Sequence, residues 1–323
     1  LSRTHLLVAA GSGERDTAVD GKVLETISNA GDAAVLAKEV LATALRPTLF
    51  LAQLSNLLAG NIQIVHHVTG SSRTFMGEEM AGVSAVENAV RRIHAGQGEL
   101  FLVGGALNAE RWDLLLGYEL GCNLWAHPFV SVWQRAVAGG GFVPGSVGAF
   151  LVVEARGHAE ARGAKPYARI RSVVSGRARR TAPGEIRASL SALYASLDGS
   201  GETEHAGPLA VLSGASGVEP ATTEELAFLQ GLGPAAGGPA IRAYGSRLGH
   251  TVEAHFPLGI ALAALTLASD RLYPPCDYPA CDGSGVERDL REPPGRVLVS
   301  AVGHWRGEGL ALVEPVDGAR EVV

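Results

Sequence analysis

Residues Val68 to Ala106 read VTGSSRTFMGEEMAGVSAVENAVRRIHAGQGELFLVGGA, and this stretch decides the fold. Val83, Val86, Val90 and Ile93 recur at steps of three and four, the spacing of one helix face, so Ala81 to His94 is expected to be an amphipathic helix. Gly96 stands where such a helix stops. In front of the helix, Arg73 to Glu78 reads as a strand with a sharp turn at Glu79. Behind it, the apolar run Leu100 to Val103 reads as a second strand that ends in Gly104-Gly105-Ala106.

Outward from this unit, short apolar runs with glycine nearby mark strands at Ala149 to Val153 and Val297 to Val299. Helical patterns fall at Ala33 to Leu45, Glu185 to Leu197, Thr222 to Leu229 and Leu258 to Ser269. A second series begins with a strand near Tyr167 to Val174, then a helix, then a strand at Leu209 to Leu212. Strands and helices alternate along the whole chain, which predicts an α/β protein with sheets covered on both faces. The restart of that rhythm allows an internally duplicated architecture of two halves. Gly199 to Gly207 and Gly231 to Pro239 read as loops.

The 323 residues include 42 glycines and are 46% hydrophobic and 19% charged, too apolar for a disordered chain and without a collagen-like triplet period. The formal charge, 27 − 33 = −6, comes with no dense basic stripe, which argues against nucleic acid as a partner. The three cysteines, Cys122, Cys276 and Cys281, lack metal-ligand spacing and suggest neither a disulfide framework nor a zinc site. A reducing, cytoplasmic setting is expected. No secretory leader is recognisable, and the longest apolar stretch, around Leu258 to Ala268, is too short to span a bilayer.

The Val68 to Ala106 unit resembles the β-ketoacyl-(acyl carrier protein) synthases of the thiolase superfamily, in which the same strand, elbow and helix present a nucleophilic cysteine. Residues Gly141-Phe-Val-Pro-Gly-Ser-Val-Gly-Ala149, followed by Leu151-Val-Val-Glu154, are similar to the family's glycine-rich turn and next strand. His158 to Ala168 resembles the linker into the second half, Gly245-Ser-Arg-Leu-Gly-His250 the loop with an active-site histidine, and Pro274-Pro275 a proline pair beyond the next helix. The likeness runs from about Phe50 to Glu314. It implies a thiolase-like α/β fold of two similar halves in an α-β-α-β-α arrangement, residues 1–165 and 166–323, with a first strand expected upstream of Leu1. A family dimer would form across an edge strand, here expected at Leu100 to Val103.

Condensation requires a thiolate to carry the acyl group and two imidazoles to stabilise the enolate and oxyanion. Carried over by the resemblance, the nucleophile position is Glu79, the first histidine position is Ala215, and only the second histidine is retained, as His250. The lysine expected five residues before it is Gly245, and the glycine-rich gate reads Val302-Gly-His-Trp-Arg-Gly307. His250 alone reads more readily as a structural histidine than as a catalyst. Glu78-Glu79-Met80-Ala81-Gly82 is similar to the elbow of chain-length factors, the noncondensing ketosynthase β subunits. Phe75, Met76, Met80, His304 and Trp305 are candidate walls of a substrate tunnel, with ordinary core as the plainer reading of the first three.

Three features read as bland. His66-His67 is expected at a surface or interface, Gly139-Gly140-Gly141 as a turn without a phosphate-loop sequel, and Glu78-Glu79 not as a glycosidase pair, because neighbours at a strand end face opposite ways. Arg177-Ala-Arg-Arg180 is read as a solvated loop or as a docking spot for an acidic carrier protein. The expected function is a chain-length-factor-like subunit of fatty-acid or polyketide assembly, paired with a catalytic ketosynthase and an acyl carrier protein. The alternatives are a malonyl-carrier decarboxylase or residual acyltransferase, and a homodimeric acyl-binding protein. Cofactors, metals, nucleic acid and membrane spans are not expected.

Overall fold

Two sheets, each built on the same parallel, parallel, antiparallel order, carry the chain. In the computed structural model, which describes residues 3–13, 15–29, 38, 41–44, 47–198, 207–232, 238–276, 286–290 and 292–316, strands β1 (His5–Ala9), β2 (Ser72–Phe75), β3 (Leu100–Leu107) and β4 (Val147–Glu154) form the first sheet. Its order is β2-β1-β3-β4, with β1 parallel to β2 and β3, and β4 antiparallel to β3. The second sheet takes β5 (Arg169–Gly176), β6 (Leu209–Ser213), β7 (Ala240–Ala243), β8 (Arg296–Val302) and β9 (Glu308–Glu314) in the order β5-β9-β8-β6-β7. There β6 is parallel to β7 and β8, and β9 antiparallel to β8, so β6, β7, β8 and β9 repeat β1, β2, β3 and β4. The duplication that the sequence allowed is present in the topology.

Helix α1 (Thr17–Asn29) lies early in the chain, and α2 (Leu57–His66) covers the outer face of the first sheet through Ala59, beside Leu6 and Val8. Between the sheets lie α3 (Glu79–His94) and, later in the chain, the helix His255–Ala268; each touches strands of both sheets and the other helix. The outer face of the second sheet is covered by Glu185–Asp198 and Ala221–Gln230, which pack together. The layers are therefore α-β-α-β-α. Cys281 and most of the helix expected at Ala33 to Leu45 lie outside the described residues. No helix among those described is long and apolar enough to cross a membrane.

Helix α3 is more deeply enclosed than its valine stripe implies. Ala81, Gly82, Ala85 and Ala89 are buried as well as Val83, Val86 and Val90, because the helix runs between two sheets and small residues fill its second face. Gly82 marks the closest approach: a Cβ there would lie 2.5 Å from the Glu253 carbonyl oxygen and 2.7 Å from Pro257 Cδ.

One expectation needs correction. Leu100 to Val103 is not an edge, because β3 is paired on both sides, with β1 and β4; among the described residues the free edges of the first sheet belong to β2 and β4. In the middle of that sheet stand β1 and β3. What the second sheet has and the first does not, among the described residues, is a fifth strand on the outer edge, where β5 pairs with β9.

In an open helix, Gly82→Ala would stabilise by up to about 1 kcal/mol through helix propensity. Here backbone and ring atoms occupy the space, and overpacking of this kind costs roughly 1–3 kcal/mol. Denaturant unfolding of Gly82→Ala should show a lower midpoint at unchanged slope; a midpoint equal to or above the parent's would refute the tight α3 packing.

Candidate functional site

Strand β2 ends at Phe75, and the chain turns sharply into α3 through Glu78, which has φ 54° and ψ −135°. Such a backbone is disfavoured for a residue with a side chain, by about 1–3 kcal/mol, and is held by surrounding structure. The elbow sends the two adjacent carboxylates apart. Glu78 meets Arg306 at 3.0 Å near the surface, whereas Glu79 starts the helix and is 2% exposed. A carboxylate in the first helical turn is favoured by the helix dipole, but burial requires closer partners than that.

Two turns from the other half supply them. The helix α4 (Trp112–Leu120) and α5 (Val132–Val137) lead to the glycine-rich turn at 139–149, which holds His250 by its backbone: the His250 N–H donates to the Val143 carbonyl at 2.7 Å, and its carbonyl accepts from the Gly145 N–H at 2.9 Å. Gly145 is needed there, since a Cβ would lie 2.0 Å from the Leu248 carbonyl oxygen. His250 Nε2 then stands 3.1 Å from Glu79 Oε1.

His304 comes from the turn between β8 and β9, and its Nδ1 lies 3.3 Å from the same Oε1. Arg180 braces this turn, donating to the carbonyls of Gly303 at 2.7 Å, His304 at 3.0 Å and Gly307 at 3.0 Å, and to Glu308 at 2.9 Å. Glu308 is fully buried and also accepts from the Ala178 N–H and the Ser189 hydroxyl. The Arg177 to Arg180 run is thus divided: Arg177 and Arg179 are exposed, while Arg180 is a brace for the loop that carries His304, a role neither sequence reading contained.

Glu79, His250 and His304 form a closed cluster. Burial by itself would raise the Glu79 carboxyl, but charge on His304 and the hydrogen bond and charge from His250 outweigh it, holding the carboxyl below its ordinary range. Burial lowers His304 despite the opposing pull of Glu79. Aromatic rings close the walls: Phe142 lies 4.7 Å from His304 and 5.6 Å from His250, and Tyr118 stacks on Trp305 at 5.6 Å. His255 sits 4.1 Å from His250, its Nδ1 accepting from the Thr251 N–H, and burial keeps it neutral.

The other candidates fall in several places. Ala215 is buried in the loop after β6 and offers only a methyl group. Met80 lies against Gly307, and Phe75 packs on the central core. Met76 is 65% exposed and outside the cluster, and Trp305 is half-exposed at its rim. His66 and His67 are exposed, as expected. Of the described cysteines, Cys122 is exposed and Cys276 buried, and neither stands at the elbow. Sequence reading did not single out Tyr118, Phe142, Glu253 or His255; the only available signal was the spacing of His250, Glu253 and His255.

No family model matches the sequence, and no curated protein matches it. Solved structures do. The ishigamide ketosynthase/chain length factor is 19% identical with a TM-score of 0.74, over 98% of this chain and 76% of that one. A type II polyketide synthase ketosynthase, bound to the hexaketide and in complex with its acyl-carrier protein, is 17% identical with a TM-score of 0.76, over 98% and 79%. An oxazolomycin ketosynthase domain from Streptomyces albus is 18% identical with a TM-score of 0.69, over 97% and 55%. At these identities the likeness is one of fold: the chain has the thiolase-type fold of the ketosynthases.

Glu253, in the 3-10 turn Val252–Ala254, gives the site a measurable pH signature. Burial, opposed by its own backbone hydrogen bond and aided by the charges of Glu79 and Glu78, raises its carboxyl to about 7. A carboxyl raised in the folded state binds its proton more tightly there, so folding stability falls as pH rises from the unfolded value to the folded one. The loss between pH 4.5 and 7 is on the order of 3 kcal/mol. Glu253→Gln should remove that decline, read as the difference between parent and variant unfolding free energies across pH 4.5 to 8; parallel profiles would contradict it.

Proposed function

We propose that this chain is a noncondensing ketosynthase homologue, a chain-length-factor-like subunit that pairs with a cysteine-bearing ketosynthase and serves carrier-bound acyl chains in polyketide or fatty-acid assembly, in the cytoplasm. The observation that carries the reading is the elbow. At the position that the resemblance assigns to the nucleophile, Glu79 is buried, ionised and engaged by His250 and His304. A carboxylate so held is a poor acyl carrier, because thioester exchange depends on sulfur.

Support for a partner comes from the first sheet. The outer edge of β2 is unpaired among the described residues, and Ile64, Val65 and Met76, all well exposed, come from the segments on either side of it. An open strand edge beside apolar side chains invites a second subunit, and one seated there would cover Met76, next to the elbow. Among the similar structures, one bears the name ketosynthase/chain length factor and another is a ketosynthase in complex with an acyl-carrier protein.

A malonyl-thioester decarboxylase is the second reading, and one observation favours it: His304 brings a second imidazole to within 4.9 Å of His250 although Ala215 holds none. Carbon dioxide release from malonyl-carrier substrate, lost in His250→Ala, would select this reading.

For the leading one, the purified chain should neither take up an acyl label at Glu79 nor elongate malonyl-carrier substrates. Mixed with a ketosynthase that retains its cysteine, it should form a one-to-one complex by light scattering and yield elongated product. Condensation by this chain alone, at rates ordinary for a ketosynthase, would overturn the proposal.

A further inference from the structure

The closed cluster has the donor set of a metal site. We propose that Glu79 Oε1, His250 Nε2 and His304 Nδ1 bind a divalent first-row ion of the zinc type, at the place where the fold otherwise carries its nucleophile. The three atoms lie within 4.8 Å of one another, and the two Glu–His separations are 3.1 and 3.3 Å. With zinc bonds of about 2.0–2.2 Å to imidazole nitrogen and carboxylate oxygen, tetrahedral ligands stand roughly 3.3–3.5 Å apart. Two of the three separations therefore need little change on binding, and only the imidazoles have to draw together.

A second observation is independent of those distances. His304 is enclosed, yet neither of its ring nitrogens has a hydrogen-bond partner, and His250 Nδ1 also lacks one. The 3.3 Å contact to Glu79 brings Nδ1 close without hydrogen-bond geometry. A buried polar atom left unsatisfied is destabilising, and a cation on His304 Nδ1 satisfies it. Glu79 points the same way: its carboxylate is met by imidazoles and by no guanidinium or ammonium group among the described residues.

Each ligand is also held from behind. Glu79 is fixed by the elbow of α3, His250 by the Val143 and Gly145 backbone, and His304 by the turn that Arg180 braces. Two imidazoles and one carboxylate fill three positions and leave a fourth for water or a substrate oxygen. His255 stands outside the set of converging donor atoms, and its Nδ1, which accepts from the Thr251 N–H, leaves the ring proton on Nε2.

The test uses the full chain, stripped with a chelator, titrated with Zn²⁺ by calorimetry and with Co²⁺ by visible absorption. One equivalent of each should bind, and cobalt should show the bands of four-coordinate nitrogen and oxygen ligation without thiolate charge transfer, which separates this site from the cysteines. Glu79→Gln and His304→Ala should each weaken binding by more than the about 10–100-fold that second-shell losses cost, while His255→Ala binds as the parent does. The cobalt spectrum of the unsubstituted protein decides the case even if a variant fails to fold. Failure to bind one equivalent, thiolate bands, or parent-like affinity in both ligand variants would overturn the proposal. Pairing with a ketosynthase is a separate measurement, so either proposal can fail while the other stands.

Discussion

A carboxylate buried between two sheets is the constraint around which the site is arranged. Helix α3 begins inside the protein because its body is the central layer, and its first residue cannot reach water. An ionised group in that position is costly unless paired and hydrogen-bonded. Lys or Arg in that space would need long stems through a packed core, whereas two imidazoles reach the same oxygen from opposite turns. His250 and His304 are thus where a buried Glu79 requires them to be.

This explains why the site appeared emptier in the sequence than it is in the structure. Matching positions one at a time by the resemblance leaves His250 as the lone histidine, with Ala215 assigned to the place of the other. The second imidazole is instead supplied by the β8–β9 turn, 89 positions further on by subtraction of 215 from 304, where the resemblance pointed to a gate. Nothing in the local sequence of that turn announces its target. Its direction is set by Arg180, four backbone and carboxylate contacts away from being a surface residue.

The fold was more legible. The strands at Leu100, Ala149, Leu209 and Val297 and the helices at Ala81, Glu185, Thr222 and Leu258 are present, with ends shifted by a few residues. Strand β9 was not singled out because both its faces are buried, so EGLALVE shows no alternation. Strand β7 was hidden by its length and by Arg242, which is buried but donates to the carbonyls of Ile241, Tyr273 and Arg288. The edge position of a strand is a property of sheet order. Order depends on contacts far apart in sequence, which is why β3 was mistaken for an edge.

The same reasoning bears on Glu225, a second fully buried carboxyl, in the other half. Its Oε1 accepts from Ser213 and Ser300 at 2.7 and 2.6 Å, while its Oε2 has no partner, and burial raises its pKa against those two hydrogen bonds. Hydroxyl donors stabilise a charge less than imidazoles do, so burial outweighs them and the carboxyl is raised. Two glutamates equally removed from water are therefore shifted in opposite directions. The difference is the pair of histidines, which hold the Glu79 carboxyl below its ordinary range where two hydroxyls leave Glu225 above it.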